Sequence, residues 1–220
     1  MKKIVPVLLF SILLAGGASV ANAADKDATS TAKIGLQTSD TNNDPSDPIV
    51  DPDDDNGPSN DPTGNTGNLR LDYVSNIDFG TQTISSTNKT YTAQKPNKSV
   101  LAQITDLRGT GAGWVLQVNY DTDKSFTDGE KTLKGAVLNL PAGEAATTAD
   151  NVSSAQAPTT NAVSINDSAQ TIMTAATNQG LGVWGDKMDP TSVTLDVPAG
   201  NLAGNYTATL VWTLTDAPAA

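Results

Sequence analysis

The chain has 220 residues, of which 24 are acidic and 13 basic, with no cysteine and no histidine. This acidity disfavours nucleic acid, whose binding comes largely from Lys and Arg neutralising phosphates, and equally disfavours an anionic membrane surface. Without Cys no disulfide can staple the fold, and without His the commonest general base and metal ligand is missing.

Residues 1–23 read as an export signal. Lys2 and Lys3 form a basic start, Ile4 to Val20 is mostly apolar, and Ala21-Asn22-Ala23 supplies a small-x-small cleavage pattern. Cleavage is expected between Ala23 and Ala24. The mature chain then keeps all 24 acidic but only 11 basic residues, a net charge of −13. No later segment is apolar enough for the ~20-residue run a membrane helix needs. The end, Thr215-Asp216-Ala217-Pro218-Ala219-Ala220, carries no LPxTG-type sorting motif or apolar tail. Export without membrane insertion or covalent attachment is the expectation.

Within 24–36, Ile34 and Leu36 stand two apart and predict at most one short strand, Lys33 to Gln37. Residues 37–68 hold eight Asp, five Pro and no Lys or Arg, with Ile49-Val50 the only apolar pair. So little apolar surface cannot offset the entropy of ordering, and proline with like charges favours extension. A disordered acidic linker is predicted. Its run Asp51 to Gly57 fails the EF-hand pattern, because positions 6 and 12 are Asn56 and Pro62 rather than Gly and Glu. No metal site is expected.

Residues 69–220 are long enough for one domain with a real core. Leu69, Leu71 and Tyr73 alternate with Arg70 and Asp72, and Val100, Ala102 and Ile104 alternate with Leu101, Gln103 and Thr105. Ser168 to Asn178 competes weakly as a helix and is read as a strand. Val193, Leu195 and Val197, then Ala208, Leu210, Trp212 and Leu214, continue the period of two. Glycine and proline punctuation separates the runs, as at Gly109 to Gly113 and Pro198-Ala199-Gly200. The pattern predicts an all-β fold, an antiparallel β-sandwich of Greek-key-like or barrel-like form.

Two tripeptides stand out, Trp114-Val115-Leu116 and Trp212-Thr213-Leu214. Residues i and i+2 of a strand share a face, so each motif sets an indole beside an aliphatic side chain. With Leu71 to Gly80, Thr105 to Val118, Val197 to Gly200 and Gly204 to Pro218 around them, the domain resembles the WxL domain family of Gram-positive cell-surface proteins. The resemblance implies non-covalent attachment to the cell wall, chiefly peptidoglycan. It also implies partners, namely other WxL proteins and membrane-anchored WxL-binding proteins. A protein–protein module retained by such partners, with strand addition at an edge or adhesion to host matrix, is the alternative.

Trp114 and Trp212 lie in phase with aliphatic rows and are expected in the core. Trp184, in the glycine-rich stretch Gly180 to Asp186, is the preferred candidate for an exposed ring that stacks on sugar. Arg108 could grip an anionic wall group, but an ion pair with Asp106 is favoured. No cofactor is implied and no catalytic residue is nominated. The carboxylate pairs Asp121 with Asp123 and Glu130 with Glu144 read as surface charge, and no Ser sits in a Gly-x-Ser-x-Gly elbow.

Overall fold

A computed structural model describes residues 30–38, 46–49, 61–94, 99–122, 125–153 and 156–216. The chain divides into two units, Met1–Leu36 and Gln37–Ala220. In the first, the described residues have no regular secondary structure, and Ile34 and Leu36 are exposed. The short strand expected there is not formed. The cleavage point at Ala23 and Ala24 and the acidic run 51–57 lie outside the described residues.

The second unit is all-β and antiparallel. One sheet orders β1 (Leu69–Val74), β3 (Val100–Asp106), β12 (Gly182–Met188) and β8 (Glu144–Thr147). A second orders β10 (Val163–Ser164), β7 (Val137–Leu140), β13 (Thr194–Val197) and β2 (Lys89–Thr92). The third orders β14 (Leu210–Thr215), β4 (Trp114–Tyr120), β11 (Gln170–Ala175) and β9 (Thr159–Thr160). A small hairpin joins β5 (Thr127–Asp128) to β6 (Lys131–Thr132). Spatial neighbours in the four-stranded sheets are rarely consecutive in sequence, which is the long-connection habit of Greek-key folds. The segment read as a strand between Ser168 and Asn178 is β11.

One core joins these sheets. Leu71, Ile104 and Trp184 from the first meet Leu138, Leu140 and Leu195 from the second and Trp114, Leu116, Val118 and Met173 from the third. Strand β4 shows the cause most cleanly: Trp114, Leu116, Val118 and Tyr120 are buried, while the residues between them are partly exposed. The Trp114 indole donates to the carbonyl of Gly180 at 3.2 Å. Gly180 has φ +68°, and a Cβ there would lie 2.8 Å from Trp114 Nε1, so only glycine fits.

The first sheet departs from simple alternation. Leu71 pairs with Ile104, but Tyr73 pairs with Gln103, so a bulge at Asp72 shifts the register. One extra residue moves every later side chain to the opposite face. The row Leu69, Leu71, Tyr73 is therefore split: Leu71 joins the core, whereas Tyr73 is buried outside it, on the face of Leu101 and Gln103. All of β3 is buried, and so are Arg70 and Asp72, the polar residues that alternate with Leu69, Leu71 and Tyr73. Arg70 Nε lies 2.7 Å from Asp72, whose other oxygen accepts from Thr105. Burial of this pair is tolerated because all three guanidinium nitrogens and both carboxylate oxygens find a partner.

Residues 46–49 and 61–68, within the stretch read as linker, lie against this unit. Thr63 N donates to the Asp72 carbonyl at 2.9 Å along the edge of β1, and Ile49 N donates to Gln103.

Asp186 is the exception to polar pairing. It points into the core from β12, fully buried, and its carboxyl oxygens have no hydrogen-bond partner among the described residues. The Gly143 backbone approaches closely but off good hydrogen-bond geometry, so it offsets only part of the burial cost. Burial pushes the carboxyl up from 3.8 to about 7. Between those two values the folded chain holds a proton that the unfolded chain has released, so raising the pH favours unfolding. The favourable contribution is complete below about pH 4 and lost as the pH climbs through 7, a change on the order of 4 kcal/mol. Measured by denaturant unfolding across this range, wild-type stability relative to Asp186→Asn falls with rising pH. Parallel pH profiles for the two proteins would contradict the assignment.

Candidate functional site

The two Trp-x-Leu motifs lie side by side. Strands β4 and β14 pair antiparallel, with Leu214 opposite Leu116 and Trp212 opposite Val118, so both motifs present their large side chains to one face. Their depths differ. Trp114 and Leu116 are on a strand flanked on both sides and are fully buried. Trp212 and Leu214 are on the edge strand and only half-buried, so the expectation of a core Trp212 holds for its face but not for its depth. An edge strand lacks a neighbour to close over its side chains.

What Trp212 meets instead is an open groove of about 660 Å³. Leu69 to Leu71 of β1 line it together with Gly64 to Thr66, and β14 contributes Trp212 and Leu214, followed by Asp216. The near loop is held in shape by three contacts. Arg70 Nη1 donates to Gly67 O at 2.9 Å, Asn65 Nδ2 donates to Leu71 O at 3.2 Å, and Thr63 Oγ1 donates to the same carbonyl at 2.5 Å. The groove thus sets one indole beside amide, hydroxyl and carboxylate groups. That combination suits a ligand with an apolar face and a polar rim.

Arg108 closes the far end without entering the groove. Its Nε and Nη2 bond Asp106 at 2.9 and 2.7 Å, Nη2 also donates to Gly113 O at 2.8 Å, and Nη1 pairs with Asp216. The hydrogen bond to Asp106 is the main reason its pKa is raised. With every nitrogen engaged, Arg108 fastens the β3–β4 loop to the residue that follows β14, and it is a positioning residue for Asp216. The ion pair expected with Asp106 is present.

Trp184 requires a correction. It is 1% exposed, in the middle of β12 opposite Ile104, and its indole donates to Leu181 O at 2.9 Å. The flanking glycines do not interrupt the strand: Gly182 opens it and Gly185 lies within it, so the buried Trp184 cannot stack on a ligand. Among the described residues no group of three or more acidic side chains could hold a metal ion. Asp123 lies outside those residues, and Glu144 is 4.0 Å from Lys187 on the neighbouring strand.

A family comparison matches residues 23–218 to the WxL domain, described as surface cell wall-binding. The chain belongs to the WxL family. It is accordingly a cell-wall-binding protein of the cell surface, and no helix among its described residues is long and apolar enough to cross a membrane. Comparison with curated proteins and with solved structures gives no match. In this WxL domain the groove-lining residues that the sequence did not single out are Asn65 and Thr66, which share the groove with Trp212 only through the long-range approach of β1 to β14, and Asp216, which reads as an ordinary charge after the last strand.

Removing the Arg108 guanidinium leaves Asp106, whose side chain is fully buried, without its charged partner. Arg108→Ala is therefore expected to cost about 2 kcal/mol in denaturant unfolding. Arg108→Lys recovers part of that loss but not the planar, multidentate set. A loss below about 0.5 kcal/mol for Arg108→Ala, the range of ordinary surface substitutions, would remove this role.

Proposed function

We propose that this WxL protein is a non-enzymatic wall-attachment protein that holds peptidoglycan through the β1–β14 groove, with Trp212 as the platform for a sugar ring. The observation that carries this reading is the half-buried Trp212 in a groove also lined by Asn65, Thr66 and Asp216. An indole stacks on the apolar face of a pyranose while amide, hydroxyl and carboxylate groups bond its rim hydroxyls. Bulk attraction to anionic wall polymers is not the source of affinity, since the mature chain carries −13. The same exported chain, with neither His nor Cys in its sequence, is read as binding without turnover.

A second reading concerns partners. Strand β14 pairs only with β4 among the described residues, so its outer edge offers backbone groups to a strand from another chain. Other WxL proteins and membrane-anchored WxL-binding proteins are the proposed donors.

Co-sedimentation of the mature chain with purified sacculi separates these readings. Binding is expected to persist after anionic polymers are stripped from the wall. Trp212→Ala is expected to weaken it roughly tenfold, with Trp212→Tyr retaining most of it and thermal melts confirming that both variants fold. Wild-type binding that vanishes on stripping, or that Trp212→Ala leaves unchanged, would overturn the groove reading.

A further inference from the structure

The outer face of the first sheet carries residues 46–49 of the same chain. Gln103 is fully buried at the centre of β3, and among the described residues its side-chain amide bonds to the backbone of residues 46–49 alone. Its Oε1 accepts from Ile49 N at 2.8 Å, and its Nε2 donates to Ser46 O at 3.3 Å and Asp47 O at 3.0 Å. The Ser46 hydroxyl lies 3.2 Å from the Thr105 hydroxyl and accepts from Arg70 Nη2 at 3.2 Å. Beside them, Gly185 leaves a gap in β12. A Cβ there would lie 2.7 Å from a Leu101 methyl and 2.9 Å from an Ile49 methyl, so the two side chains converge where a side chain is missing.

We propose that this face is a peptide-binding cradle whose ligand is the chain's own segment Ser46–Ile49, held as a detachable latch. Each part of the cradle reads a different feature. Gln103 reads the backbone path around Pro48, whose restricted φ pre-shapes the segment. Thr105 and Arg70 read a hydroxyl at the first position. Gly185 and Leu101 take an aliphatic side chain at the fourth. The contact involves four residues and no strand ladder, so it is small. Eleven residues, 50–60, tether Ile49 to Asp61, and a tether of that length supplies an effective concentration in the mM range. A contact that takes up a separate peptide only at high peptide concentration is thereby kept closed within one chain. The latch does not depend on the groove reading: its ligand is a peptide, and of its residues only Arg70 also lines the groove.

The test uses the whole mature chain, the variant Ile49→Asp, and a fluorescent synthetic peptide spanning Asn43 to Pro52. Anisotropy titration is expected to show saturable binding to Ile49→Asp at least tenfold tighter than to wild type, whose cradle is filled. Adding Gly185→Val to Ile49→Asp is expected to abolish it. Equal affinity for wild type and Ile49→Asp, no binding to a cooperatively folded Ile49→Asp, or a wild-type dimer that the peptide dissociates would each overturn an intramolecular latch. Should Ile49→Asp fail to fold, hydrogen exchange on wild type decides: the Ile49 amide is expected to be protected, and excess peptide to accelerate its exchange. An unprotected Ile49 amide would overturn the latch.

Discussion

The antiparallel register of β4 with β14 is the constraint from which the candidate site follows. Six cross-strand pairs place Leu214 against Leu116 and Trp212 against Val118. The two Trp-x-Leu motifs thus belong to one face of one sheet, although 95 residues, 117–211, lie between them in sequence. The inner strand commits its indole to the core, where it donates to the Gly180 carbonyl. Among the described residues the edge strand has no neighbour beyond it, so the same side-chain pattern leaves a second indole at the surface of the core. A single motif used twice gives a structural tryptophan and a contact tryptophan because their strands occupy different places in the sheet.

A second constraint acts on the first sheet, whose strand β3 is covered on both faces. The inner face packs against the other sheets. The outer face holds Arg70, Asp72, Gln103 and Thr105, polar groups that are buried only because they satisfy one another and the backbone of residues 46–49. Arg70 stands at the junction of these features, touching Ser46 on one side and the Gly67 carbonyl of the groove loop on the other. The groove wall and the covered face therefore share one guanidinium.

The period-two runs made the all-β class and most strands legible, including β11, where Thr and Ala left a helix open. The same periodicity put Trp212 on the correct face. It failed where its premise failed. A bulge at Asp72 inverts the phase of β1 midway, and nothing in Leu-Arg-Leu-Asp-Tyr-Val announces an unpaired residue. Gly-Leu-Gly-Val-Trp-Gly-Asp looked like a loop because glycine disfavours strands. Its glycines are there for close packing: a Cβ at Gly185 would strike Leu101 and Ile49, and one at Gly182 would come within 2.9 Å of Asn151. Buried Asp186 was equally invisible, since an aspartate within a strand gives no sign of facing the core unpaired. The groove itself needs β1 and β14, at opposite ends of the domain, to meet, and local pattern carries no such information.

Three indole N–H groups make the central claim directly observable. In a 15N-correlation spectrum titrated with soluble peptidoglycan fragments, the Trp212 indole signal is predicted to shift progressively, while those of Trp114 and Trp184, bonded to Gly180 O and Leu181 O, stay in place. Saturating shifts confined to the other two indoles, or an unmoved Trp212 signal in protein that still sediments with the wall, would contradict the account.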